Sequence, residues 1–99
     1  EIKKNMGWCD DVQFPKKYNK LFQIEKKIRH EKLIRKDHKY DFLIPIKYNF
    51  KKPITNRGSC IFIHLTKNYR PTAGCVALKE KDFLIMIKII KKNTKIKIV

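Results

Sequence analysis

The sequence predicts a small α+β domain, mainly β, with one or two helices. Three observations carry this. Short apolar runs (Phe42 to Tyr48, Cys60 to His64, Val76 to Leu78) are separated by clusters of Gly, Pro and Asn, the pattern of strands joined by loops. A sustained helical period occurs in one stretch, Lys79 to Lys92. The chain has 99 residues and no internal repeat or Gly/Ser linker, so residues 1–99 read as one domain.

Along the chain, residues 1–20 read as irregular, because Gly7, Asp10, Asp11, Pro15 and Asn19 are turn formers. Trp8, Phe14 and Tyr18 are positioned to anchor this segment on a core. Ile24, Ile28 and Leu33 approach helical spacing, which predicts a short helix between Glu25 and Lys36. Phe42 to Tyr48 is the first clear strand. Pro45 places it at a sheet edge or a bulge, since proline has no N–H for the ladder. Cys60 to His64 is apolar on both faces and reads as a central, buried strand. Leu65 to Gly74 is a loop, and Val76 to Leu78 is extended. In Lys79 to Lys92, Phe83, Leu84, Ile87 and Ile90 form an apolar stripe. Glu80 and Asp82 near the start, with Lys91 and Lys92 at the end, suit the helix dipole. Lys95 to Val99 alternates and reads as a terminal strand.

The balance of 25 Lys+Arg against 9 Asp+Glu gives a net charge of +16. Such a charge raises nucleic acid or an anionic surface as a partner. Lysine far outnumbers arginine, however, and arginine is the residue suited to bidentate phosphate and base contacts. The lysines are also spread along the whole chain. A solvated basic surface is therefore expected, with no specific nucleic-acid partner. No apolar run is long enough for a transmembrane segment. The chain starts at Glu1 with no basic-then-apolar leader, which reads as a removed leader or a portion of a longer protein. Nothing in the sequence sets an oligomeric state.

The three cysteines, Cys9, Cys60 and Cys75, contain no CxxC pair, so neither a disulfide framework nor a zinc site is expected. Neither metal nor cofactor is implied. One cysteine has a setting suited to chemistry. Cys75 follows Gly74, which permits an unusual backbone angle and close substrate approach, and backbone N–H groups there can face an oxyanion. His64, at the end of an apolar strand, is the natural base to take the thiol proton. A free cysteine is more often a small buried hydrophobe, and a strand histidine can be a satisfied core residue. A catalytic His64 would need a backbone carbonyl or a hydroxyl to fix its tautomer. Ser59, Thr66 and Thr72 lie near in sequence, and spacing does not choose among them.

A resemblance weighs in favour of chemistry. Gly58-Ser59 with Ile61-Phe62 and His64, then Pro71-Thr72-Ala73-Gly74-Cys75-Val76-Ala77-Leu78, resemble the active-site segment of the YkuD-type L,D-transpeptidases, bacterial cysteine enzymes acting on peptidoglycan stem peptides. Weaker matches (Gly7-Trp8-Cys9-Asp10-Asp11, Tyr18-Asn19, His30-Glu31, Asp37, Tyr40-Asp41, Tyr48-Asn49) follow in the same order and spacing as in one branch of that family. The resemblance implies a YkuD-like β-sandwich, with Cys75 as nucleophile, His64 as base and Gly74 in the oxyanion turn. Thr72, Ser59, His30 and Glu31 become supporting or substrate-binding residues. It further implies a thioester on Cys75, loss of a terminal D-amino acid, and resolution by an amine or water in the periplasm or cell envelope.

Three departures stand out. Ala73 precedes Gly74, where better-known members carry His or Asn, and Ala77 occupies the position of a substrate-holding arginine. Cys60 stands where a small residue is usual. The family's domains also carry strands before the Gly-Trp-Cys-Asp-Asp segment, so an N-terminally truncated domain is expected. A polyanion-binding module and an inactive remnant are the competing readings.

Overall fold

A computed structural model describes residues 1–98 of the chain. Among these, two three-stranded sheets and one helix form, in agreement with the mainly β reading. The first sheet has β1 (Met6–Cys9) at its centre, flanked by β2 (Leu21–Gln23) and β3 (His30–Lys32), both antiparallel to it. In the second, β5 (Phe62–Leu65) lies between β4 (Leu43–Pro45), antiparallel, and β6 (Val76–Leu78), parallel. The helix α1 (Glu80–Ile89) follows β6 directly.

The second sheet follows the sequence closely. β5 is buried along its whole length and central, as its apolar faces require. β4 is an edge strand that ends on Pro45, where the missing N–H does least harm. Alternation along β5 divides the interior in two. Phe62 joins Trp8, Leu33, Tyr40 and Cys60 in a cluster between the sheets. Ile63 and Leu65 face the other way and meet Phe83 of α1.

The first sheet was not legible in the same way. β1 falls within the segment expected to be irregular, and β3 falls where a helix was expected. Gly7 hides the alternation of β1, yet only glycine fits there: a Cβ would lie 2.9 Å from Ile24 Cγ1 and 3.3 Å from the Glu31 carbonyl. The spacing of Ile28 and Leu33 is not helical burial. Both are buried, but Asp11 Oδ2 accepts the Arg29 N–H at 2.9 Å, and the next residues pair with β1. Pairing of distant segments overrides a weak local period.

Asn19 joins this sheet to the rest. It is 3% exposed, with φ +56°, a left-handed conformation that asparagine tolerates. Its Oδ1 accepts Trp8 Nε1–H at 2.8 Å, and its Nδ2 donates to the carbonyls of Tyr48 (3.0 Å) and Asn49 (2.6 Å).

The helix forms where expected but turns a different face inward. Phe83 is fully buried and Met86 packs beside it, whereas Leu84 and Ile87 of the expected stripe are exposed. Glu80 and Asp82 lie in the first turn as the dipole favours. Lys91 and Lys92 lie beyond the helix end, and Lys88 is the basic residue of its last turn. Residues 95–98 form no strand, and Val99 of the expected terminal strand lies outside the described residues.

Candidate active site

Parallel pairing of β5 with β6 organises the site. Ile63 pairs with Val76 and His64 with Ala77. One step earlier on each strand, Phe62 neighbours Cys75. Directly paired residues share a face, so Cys75, Phe62 and His64 all point towards the cluster between the sheets, and Cys75 packs against it. His64 lies diagonally from Cys75 on this face, two residues further along the neighbouring strand.

At rest, the two are not hydrogen-bonded. The Cys75 thiol donates to the Cys60 carbonyl, with Sγ 3.1 Å from the oxygen. Burial pushes the Cys75 pKa above the ordinary thiol value, the Phe62 N–H pulls it back, and the Glu31 charge adds to the rise. Cys60 presents its carbonyl because its own φ is +60°, which costs a non-glycine residue of order 1–2 kcal/mol. The Cys60 thiol is 8% exposed, and burial pushes its pKa up to about 12. Ser59 steadies this corner by donating to the Cys9 carbonyl at 2.7 Å.

The turn before Cys75 is held by Thr72. Its hydroxyl donates to the Cys75 carbonyl and accepts the Gly74 N–H at 3.4 Å. Gly74 has φ +153°, where any L side chain is strained, and a Cβ there would sit 3.3 Å from Ile61 Cδ1, which would have to give way slightly.

His64 is 6% exposed, and its Nδ1 lies 2.8 Å from the Leu65 carbonyl. A carbonyl can only accept, so Nδ1 carries the proton and the neutral ring keeps its lone pair on Nε2. The ring of Tyr40 meets His64 edge to face, with centroids 5.3 Å apart. The Tyr40 hydroxyl donates to Glu31 Oε1 at 2.6 Å. Burial, then the Glu31 carboxylate, push that hydroxyl's pKa well above its ordinary value. Arg35 completes this wall. It reaches Glu31 at 3.3 Å, lies 5.0 Å over the Tyr40 ring, and grips Asp37 with two nitrogens at 2.9 and 2.6 Å. That grip holds the Asp37 carboxyl well below the usual range.

Thus Glu31, Ser59 and Thr72 surround the Cys75–His64 face. His30 does not. It pairs with Cys9 while Glu31 pairs with Trp8, so the two neighbours point to opposite faces of β3. His30 Nδ1 donates to the Ile28 carbonyl at 2.6 Å, and its ring meets Phe22 edge-on. Sequence reasoning assigned no role to Tyr40 or Arg35. The only signal was their position between Glu31 and Asp41, in a stretch that resembled the family.

Residues 6–98 match the family model of the L,D-transpeptidase catalytic domain, YkuD. The chain belongs to this family. No curated protein and no solved structure matches it. Within an L,D-transpeptidase catalytic domain, the departure at Ala77 gains a location: it lies directly beside His64 in the ladder, so a short side chain leaves that flank open. A groove of about 610 Å³ lies elsewhere. It is lined by Trp8, Leu21, Pro45, Phe50 and lysines, and neither Cys75 nor His64 borders it. Among the described residues, no helix is long and apolar enough to cross a membrane.

Proposed function

We propose that this L,D-transpeptidase-family chain acts as a cysteine acyltransferase on peptidoglycan stem peptides, through a thioester on Cys75. The observation that carries the reading is the shared face of Cys75 and His64, with Nδ1 of His64 committed to the Leu65 carbonyl and Nε2 left as the acceptor. Substrate binding displaces the Cys75 thiol from the Cys60 carbonyl towards His64. His64 takes the proton, and the thiolate attacks the amide between the third and fourth residues of the stem. The carbon–nitrogen bond breaks, the imidazolium returns the proton to the leaving D-amino acid, and an acyl thioester remains. An amine of another stem, or water, then attacks the thioester and frees Cys75.

Gly74 sits in the turn facing the oxyanion, held by Thr72. Ser59 and Glu31 support the Cys75–His64 face, while His30 supports β3 from its other face. This chemistry belongs in the periplasm or cell envelope, where its substrate is found. Residues 1–99 belong to one domain.

Incubation with a carbapenem, whose strained amide acylates a competent thiolate, followed by intact-mass analysis, tests the proposal. One adduct is expected on the wild type, none on Cys75→Ala, and much slower formation on His64→Ala. Folded wild-type protein that gains no adduct would overturn it.

A further inference from the structure

After its charged first turn, α1 is apolar from Phe83 to Ile89 except at Lys88, but the chain covers one side of it. Phe83 and Met86 face the sheet. Leu84, Ile85, Ile87 and Ile89 are exposed, with Ile85 at 51% and Ile89 at 72%. A helix that is apolar on all sides is normally covered on all sides. Glu80 and Asp82 sit in the first turn, but beyond it the charges are one-sided. After Asp82 the chain has no acidic residue, while Lys88, Lys91, Lys92, Lys95 and Lys97 follow. Among the described residues, none of these lysines forms an ion pair. Further on, Ile96 and Ile98 are also exposed, at 44% and 63%.

We propose that the outward face of α1, with the lysine-rich segment after it, docks on the surface of an anionic lipid bilayer. Aliphatic side chains enter the acyl boundary while lysine stems run along it and place their ammonium groups at the lipid phosphates. Charge selects this occupant. A second copy would bring one lysine-rimmed face against another. Nucleic acid is a poor fit, because residues 84–98 contain no arginine for phosphate forks and no aromatic ring for base stacking. The helix has ten residues, about 15 Å at 1.5 Å per residue, too short to span a bilayer but long enough to lie in its interface.

Co-sedimentation of the full chain with vesicles tests this, using phosphatidylcholine alone and phosphatidylcholine with a third phosphatidylglycerol. Binding is expected to the mixed vesicles only, and to weaken as salt rises from 0.05 to 0.5 M. Each of Lys88→Gln, Lys91→Gln and Lys92→Gln should weaken it about fivefold. The pair Ile85→Ser with Ile89→Ser, both on exposed positions, should weaken it about tenfold or more while leaving the melting temperature unchanged. Lys51→Gln with Lys52→Gln serves as the control for general charge. The proposal is overturned by equal or absent binding to both vesicles, by loss in the control pair as large as in the α1 variants, or by indifference to the isoleucine pair. It is also overturned if the isoleucine pair instead abolishes self-association of the chain, measured by sedimentation equilibrium. Wild-type salt dependence keeps the test valid even if a variant misfolds.

Discussion

The resting hydrogen bond from Cys75 to Cys60 makes the pH dependence of thiol reactivity a direct probe of the site. An ordinary thiol with pKa near 8.5 is about 3% ionised at pH 7. Burial raises Cys75 above that value, so its resting thiolate fraction is lower still. Well below the pKa, each pH unit changes the fraction tenfold. Alkylation of folded protein by iodoacetamide should therefore rise about 100-fold between pH 6 and pH 8, with no plateau. Intact-mass analysis, with peptide mapping to assign the adduct, follows it. Cys60, with its thiol pushed up to about 12, should stay unlabelled over this range. Cys9 is fully buried and should also stay silent. A resting thiolate–imidazolium pair would behave otherwise: its rate would already be flat at pH 6 to 7. A plateau below pH 8, or labelling of Cys60 comparable to Cys75, would refute the geometry described for the resting thiol.

Two further predictions concern stability. Phe83 is fully buried and stacks on Phe42 with centroids 5.7 Å apart, so Phe83→Ala should cost about 3–5 kcal/mol. That is a large share of the total stability of a small domain, and thermal melting by circular dichroism should show a fall of tens of degrees; a cost below about 1 kcal/mol would mean that α1 is not anchored through this ring. The second prediction is alkaline weakening. The folded pKa of Cys60 is raised above its unfolded value of about 8.5, so its contribution is complete below that pH and is lost as pH climbs towards 12. The raised Tyr40 hydroxyl acts in the same direction at higher pH. Urea midpoints at pH 7, 9 and 10.5 should fall, and fall less in Cys60→Ala; parallel pH slopes in the two proteins would sink the assignment.

Legibility followed locality. β5, β6 and α1 are contiguous apolar blocks, and residue type alone marks them out. Cys75, His64 and Gly74 stand out as candidates through the resemblance of their segments to the family, since residue type alone favours a buried cysteine and a core histidine. β1 is four residues interrupted by Gly7 and β3 is three polar residues, and they exist because they pair with each other across some twenty residues, which no local window records. The inward face of α1 was misread for a related reason. Its apolar residues surround the axis, so the pattern could not say which side the sheet would take. The wall of Tyr40, Glu31 and Arg35 depends on β3 lying beside β1, and the left-handed turn at Cys60 uses a residue type that seldom adopts it.

Asn19 shows what a single amide imposes on the history of such a chain. Its carboxamide serves one donor and two acceptors drawn from the segments around Trp8, Tyr48 and Asn49, at a backbone angle few side chains accept. Aspartate keeps the shape but sets a second oxygen against two carbonyls. Glutamine is a methylene too long, and glycine keeps only the angle. No single replacement preserves all three links, so losing this residue would mean redrawing both the Trp8 strand and the Tyr48–Asn49 segment together. The position ties two segments together through one amide, in a chain whose surface is otherwise largely interchangeable lysine.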